Sequence, residues 1–160
     1  MDLLLASGLR IGDAVMISKD AFLKSGRDEY SVTLRTEKNG DRVTCLVPDT
    51  TAKQVLPLDG DQPFRNGVNN AEDCPVTWRR ALGRLLDWAG VESHPHHFRH
   101  AFAKRLLMAD VPVGTVAKLL GHRRIAVTEQ HYSRWIPERQ AVIDVVVRDS
   151  WAKMAGTPRA

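Results

Sequence analysis

Two short runs rich in β-branched residues, Tyr30 to Arg35 (YSVTLR) and Arg42 to Val47 (RVTCLV), flank the segment TEKNGD. Its Asn-Gly pair favours the tight turn of a β-hairpin. This hairpin constrains the fold most, because the patterning around it is largely helical. Pro48 ends the second strand, since proline cannot continue a ladder, and the Ile11 to Leu23 stretch fits a helical turn leading into a further strand. The expected class is therefore α+β and mainly helical, with helices packed around a small antiparallel hairpin or sheet.

The helices follow from apolar spacing and from their stop signals. Residues 2–9 (DLLLASGL) read as a short buried helix ending in a turn at Gly8, and Asp49 to Leu56 as another short helix. The loop DGDQPFRNGVNN then carries the Gly, Asn and Asp content of irregular structure. Pro75 to Ala89 places Trp78, Leu82, Leu85, Leu86 and Ala89 at helical spacing before Gly90, so Trp78 and Trp88 read as packing residues. Pro95 suits the first turn of a helix over His96 to Ala109, whose expected buried stripe is Phe98, Phe102, Leu106 and Leu107, with His96 and Arg99 off it. Pro112 opens a helix closed by Gly121, which fixes where His122 leaves it; Val127 to Trp135 makes another, bearing Tyr132. The last helix begins at Pro137. Its apolar side, with Ala141, Val142, Val145, Val146 and Met154, is broader than a small domain needs and suits contact with a second subunit.

At 160 residues the chain fits one domain with one core, and 43% apolar with 26% charged residues is the balance of a soluble globular protein. The longest apolar stretches are too short to span a bilayer, and Arg10 interrupts the opening one without a basic region before it, which points to a cytoplasmic protein. Cys45 and Cys74 are too few and too far apart for a disulfide framework or zinc ribbon. The net charge of +4 fits a polyanionic partner, and residues 91–140 concentrate it, with eight Lys/Arg against four Asp/Glu.

The same region, His94 to Trp135, holds all six histidines. His96 and Arg99 are three apart and share a helix face. A resident metal is not expected, since HPHH lacks metalloprotease spacing and Arg99, Arg123 and Arg124 would repel a cation. A serine hydrolase lacks its G-x-S-x-G elbow, an ATP-dependent enzyme its glycine-rich cradle, and a metal-dependent nuclease its acidic cluster. What remains is guanidinium, ammonium, imidazole and phenol, the groups that phosphodiester transesterification needs without a metal. Arginines neutralise the charge building on the non-bridging oxygens, a phenol attacks phosphorus, and an acid protonates the leaving oxygen. From local pattern Arg10 reads equally as a functional cation or as one that only lies at the surface or pairs Asp13. Lys38 sits beside the hairpin turn, where it is either solvated or able to project over a bound phosphate.

In chain order, GLRIGD, the lysine of EKNG, HPHHFRH, LLGH and VTEQHYSRW resemble the tyrosine recombinases, or phage-type integrases, from Gly8 to about Gln140. The resemblance implies a catalytic-domain fold of that type with catalytic roles for Arg10, Lys38, His96, Arg99, His122 and Tyr132. Lys53 and Arg42 are competitors for the role of Lys38. The other histidines, His94, His97, His100 and His131, are expected to cap, pack or face DNA. The implied reaction is attack of Tyr132 on double-stranded DNA to give a 3′-phosphotyrosyl link and a free 5′-hydroxyl, with no cofactor because the phosphodiester energy is conserved. Arg123, Arg124 and Arg134 are candidate phosphate contacts or a solvated basic face. Family members carry an N-terminal DNA-clamping domain and opening catalytic-domain helices, so residues 1–160 read as a single catalytic domain without them. The alternative is a DNA-binding or interaction remnant without productive recombination.

Overall fold

The computed structural model describes residues 1–38, 40–65, 73–132 and 143–151. Helix α1 (Asp2–Ser7) leads into α2 (Ile11–Val15), and a turn of 3₁₀ helix at Lys19–Ala21 delivers the chain to β1 (Phe22–Lys24). Strands β2 (Glu29–Arg35) and β3 (Arg42–Pro48) complete a three-stranded antiparallel sheet of order β1-β2-β3. The hairpin and the strand preceding it were both legible in the sequence. On β3 the side chains alternate, with Val43, Cys45 and Val47 buried and Arg42, Thr44 and Leu46 exposed. The period of two sends one face to the core. The register pairs Val32 with Cys45 and Thr33 with Thr44, whose hydroxyls bond at 2.9 Å on the exposed face. Asn39 lies outside the described residues, whereas Gly40 has φ +68°, the left-handed conformation that such a turn uses.

Helices α3 (Asp49–Val55), α4 (Cys74–Trp88), α5 (Pro95–Met108), α6 (Val113–Leu119) and α7 (Ile125–Tyr132) follow, and residues 143–151 are helical. Helix α7 starts two residues earlier than the apolar pattern suggests, and its expected continuation to Trp135 lies outside the described residues, as do Pro137, Ala141, Val142 and Met154. The spacing on α4 holds for Leu82 and Leu86, which are buried, but not for Trp88, which is 86% exposed. Two residues beyond Leu86 is about 200° around the helix, so Trp88 faces away from the core. Trp78 does pack, edge-on to Phe64 at 5.6 Å.

Helix α5 joins two apolar clusters. Phe98 belongs to the one formed by α1 to α4 and the sheet, whereas Phe102, Ala103 and Leu107 belong to the other, with Val116, Leu120 and Tyr132. Arg99, expected off the buried stripe, is only 5% exposed. It precedes Phe102 and Ala103 by one turn, so the helix carries its side chain beneath the surface. Leu106 is only partly buried, so the inner stripe runs instead through Ala103. The thiols of Cys45 and Cys74 are buried and unpaired, and burial pushes that of Cys45 up to about 11. Among the described residues, no helix is long and apolar enough to cross a membrane.

Candidate active site

The loop between α1 and α2 is docked onto α5 through one glycine. Gly8 adopts φ +65° as the left-handed cap of α1, its N–H donating to the Leu4 carbonyl at 3.0 Å. A Cβ there would lie 2.3 Å from Phe102 Cδ1. This close approach places the Gly8 carbonyl over Arg99, whose Nη1 donates to it at 2.9 Å. Two residues on, Arg10 enters the same cleft. Its Nη1 is buried without a hydrogen-bond partner, and the Asp13 carboxylate lies 3.8 Å away. Asp13 is thus an ionic neighbour of Arg10, and its other oxygen accepts from the Glu37 N–H at 2.8 Å. That second contact ties the hairpin turn, next to Lys38, to the loop that carries Arg10.

Helix α6 ends in two bonds closing a left-handed Gly121: its N–H to the Lys118 carbonyl at 2.9 Å and the His122 N–H to the Ala117 carbonyl, also 2.9 Å. His122 is thereby aimed back at α5. Arg99 Nη2 donates to the Leu120 carbonyl and to His122 Nε2, the latter at 3.0 Å. A guanidinium can only donate, so His122 Nε2 accepts and Nδ1 bears the proton. Nδ1 then donates to Thr128 Oγ1 at 2.8 Å, and Thr128 is fully buried.

Burial, with the charges of Arg99 and Arg10 behind it, depresses the His122 pKa from 6.5 to about 4. The neutral imidazole is therefore the folded form at neutral pH. Because the unfolded chain binds this proton near pH 6.5, the His122 contribution to stability is present above that pH and is lost as pH falls toward about 4. Thermal melts between pH 7 and pH 4.5 should show a steeper fall for the native protein than for His122→Gln. Parallel curves would rule out this linkage.

Arg10, Lys38, His96, Arg99, His122 and Tyr132 all line one cleft, with His100, Arg123, Arg124 and His131 also on its wall. The structure thus brings together all six residues named as catalytic candidates. The competitors of Lys38 lie elsewhere: Lys53 Nζ is 2.5 Å from Asp49 Oδ2 on α3, and Arg42 faces a separate depression beside β1. Burial also pulls Arg99 down to about 10, with the Arg10 charge adding to it and the Tyr132 phenol and Asp13 opposing. Desolvation and the same two arginines lower His96. Tyr132 is 3% exposed, and burial raises its phenol above the ordinary value while Arg99 pulls it back.

Arg123 makes a forked pair with Asp41, at 3.0 and 3.1 Å, and thereby links the α6–α7 turn to the hairpin. Arg124 is exposed on the cleft rim, and Arg134 lies outside the described residues. His94 and His97 cap α5, the His94 N–H donating to His97 Nδ1 at 3.4 Å, in keeping with their expected local role. His100 was not expected to meet the nucleophile. Its Nδ1 lies 3.0 Å from Tyr132 Oη, a contact across 32 residues that local spacing on α5 could not reveal. Among the described residues, no three His, Cys, Asp or Glu side chains converge as metal ligands.

The profile of the phage integrase family matches residues 68–139, which include His96, Arg99, His122 and Tyr132. The tyrosine recombinase XerC of Rickettsia peacockii is 29% identical over 149 residues, 88% of this chain and 48% of that protein. The XerC of Rickettsia bellii is 27% identical over 140 residues, 81% of this chain and 44% of its own length. This chain spans about half the length of these relatives. Among solved structures, the catalytic domain of bacteriophage HP1 integrase aligns over 82% of this chain and 70% of its own, with TM-score 0.60 and 19% identity. The XerH site-specific recombinase, in a post-cleavage complex with its difH substrate, aligns over 89% of this chain and 44% of its own, with TM-score 0.64 and 18% identity. In its ordered motifs, in the match over residues 68–139 and in these relatives the chain is similar to the tyrosine recombinases and phage-type integrases, and it carries the fold of their catalytic domain.

Proposed function

We propose that this chain is the catalytic domain of a site-specific DNA recombinase or integrase, which cleaves and rejoins strands through a covalent 3′-phosphotyrosyl intermediate. The observation that carries this is the convergence of a buried phenol, two arginines and a hairpin lysine in one basic cleft. Arg99 and Arg10 grip the scissile phosphate. Arg99 is held by two backbone carbonyls and His122, so its remaining N–H donors are already oriented, and the unpartnered Arg10 Nη1 is supplied with an acceptor by a phosphate oxygen. Tyr132 Oη attacks phosphorus, the P–O5′ bond breaks, and Lys38 gives the departing oxygen its proton. His96 bonds a non-bridging oxygen. A 5′-hydroxyl from another strand reverses the step, so no nucleotide cofactor is consumed.

Double-stranded DNA is the partner, with Arg124 and Arg134 contacting phosphates and Arg123 steadying the hairpin as well. The C-terminal segment carries self-association on DNA: Val146 and Trp151 are 58% and 61% exposed on the helical residues 143–151. Such a protein works in the cytoplasm, where its DNA is.

The test is a library of nicked duplexes of randomised sequence, incubated with the protein in EDTA and resolved on a denaturing gel. A covalent protein–DNA band is expected from the native protein and none from Tyr132→Phe. A band that persists in Tyr132→Phe would overturn the nucleophile, and cleavage only with magnesium would overturn the chemistry. DNA binding without any band would favour a DNA-binding remnant.

A further inference from the structure

A buried phenol is a poor nucleophile until something takes its proton. Burial moves the Tyr132 phenol further from ionisation, and the Arg99 charge offsets this only in part. An acceptor in contact with Oη therefore has more to do here than it would in water. Of the two imidazoles expected to do chemistry, His122 has both ring nitrogens committed, Nε2 to Arg99 and Nδ1 to Thr128. His96 stands on the exposed first turn of α5, its ring centroid 6.2 Å from that of His100. His100 itself places Nδ1 3.0 Å from the phenol oxygen, the rings meeting edge to face at 65°.

Resting on the strand-transfer reaction proposed above, we infer that His100 is the proton acceptor for Tyr132. In the Nε2–H tautomer, Nδ1 accepts the phenol O–H bond. During cleavage the Oη proton passes to His100 Nδ1 as the Oη–P bond forms. The P–O5′ bond breaks in the same step, and the 5′-oxygen takes its proton from Lys38. In rejoining, the 5′-hydroxyl attacks phosphorus and returns its proton to Lys38, the Oη–P bond breaks, and the His100 imidazolium returns its proton to Oη. The geometry for this is fixed by the helix: the preceding residue, Arg99, is tied to the Gly8 and Leu120 carbonyls, and the following turn is buried through Phe102 and Ala103. His100 thus has a rigid base from which to meet the phenol, on the helix that also supplies the phosphate grip.

The experiment measures single-turnover cleavage of a nicked duplex recovered from the library, for the native protein, His100→Ala and His100→Asn, with DNA affinity and thermal stability measured alongside. Asparagine can hold the phenol by accepting its hydrogen bond but cannot carry the proton away. Both variants should cleave about 10²-fold more slowly at unchanged DNA affinity. Added imidazole should restore part of the rate to His100→Ala. A 5′-bridging phosphorothiolate, whose sulfur leaves without an acid, should rescue Lys38→Ala but not His100→Asn. A folded His100→Asn that cleaves at the native rate would overturn the inference, as would its rescue by the sulfur substrate, which would move His100 to the leaving group. If the native protein forms no adduct, strand transfer itself fails; if it forms one and the His100 variants match it, only the present inference fails.

Discussion

Arg99→Lys is expected to slow covalent adduct formation by about 10³-fold while weakening DNA binding by less than about tenfold. Arg99 serves two sets of partners. Nη1 donates to the Gly8 carbonyl and Nη2 to the Leu120 carbonyl and His122 Nε2, which leaves the Nε–H and one Nη1–H for an oxyanion. An ammonium keeps the charge but is a point donor on a flexible stem, and it cannot span the Gly8 loop, the α6 terminus and a phosphate together. On the proposed function, the charge that would draw DNA to the cleft is spread over several other cations, so affinity should fall less than rate. Arg99→Ala should add a folding penalty of about 3 kcal/mol, because two buried carbonyls and an imidazole lose their donor. Single-turnover cleavage and a salt titration of binding separate the two effects. A Lys variant that cleaves within tenfold of the native rate would show that the fork is not what the transition state uses.

The second large effect is on folding. Gly8→Ala should destabilise the domain by about 3 kcal/mol, lowering its melting temperature by roughly 6–12 °C. Two costs add at this position: an L side chain in a left-handed conformation, and a Cβ 2.3 Å from the Phe102 ring, which α5 does not let retreat. Gly40→Ala is the control, since Gly40 has φ +68° but nothing within 4 Å of an added Cβ. It should cost only the backbone term, about 1 kcal/mol. Equal losses at the two glycines would remove the Phe102 contact from the account. Trimming Phe102 to Leu in the Gly8→Ala background should return part of the loss.

Gly8 is also the mechanical link between the two arginines, which its position in a short turn did not announce. The motif around it, GLRIGD, was legible as a motif, and Arg10 could be read from it as a phosphate ligand or a partner of Asp13. In the structure Asp13 lies near Arg10 and also holds the hairpin through the Glu37 N–H, so the carboxylate organises both parts. Lys38 is a comparable case. Its candidates were ranked by position relative to the hairpin, and the folded chain separates them, because Lys53 pairs on its own helix and Arg42 faces another depression.

Local rules served well where the deciding interaction is local. The hairpin, the glycine-closed ends of α4 and α6, and the proline-led start of α5 follow from backbone sterics over a few residues. They served poorly where burial depends on what packs from outside. Trp88 fits a helical apolar pattern yet faces outward, and Arg99 is polar yet buried. Helical spacing gives relative angle, and only the neighbouring elements say which angle is inside.

The sequence alone carried the resemblance to the tyrosine recombinases, the α+β class and the set of groups that transesterification requires, because each is written in residue type, order and short-range spacing. The tertiary structure decided how those groups are partnered. It places Arg99 against Gly8 from 91 residues away, fixes the His122 tautomer through Arg99, and sets His100 rather than His96 or His122 against the Tyr132 oxygen. Hydrogen-bond partnership across such separations is set by how helices pack around a shared core. No local pattern in a single chain encodes that directly.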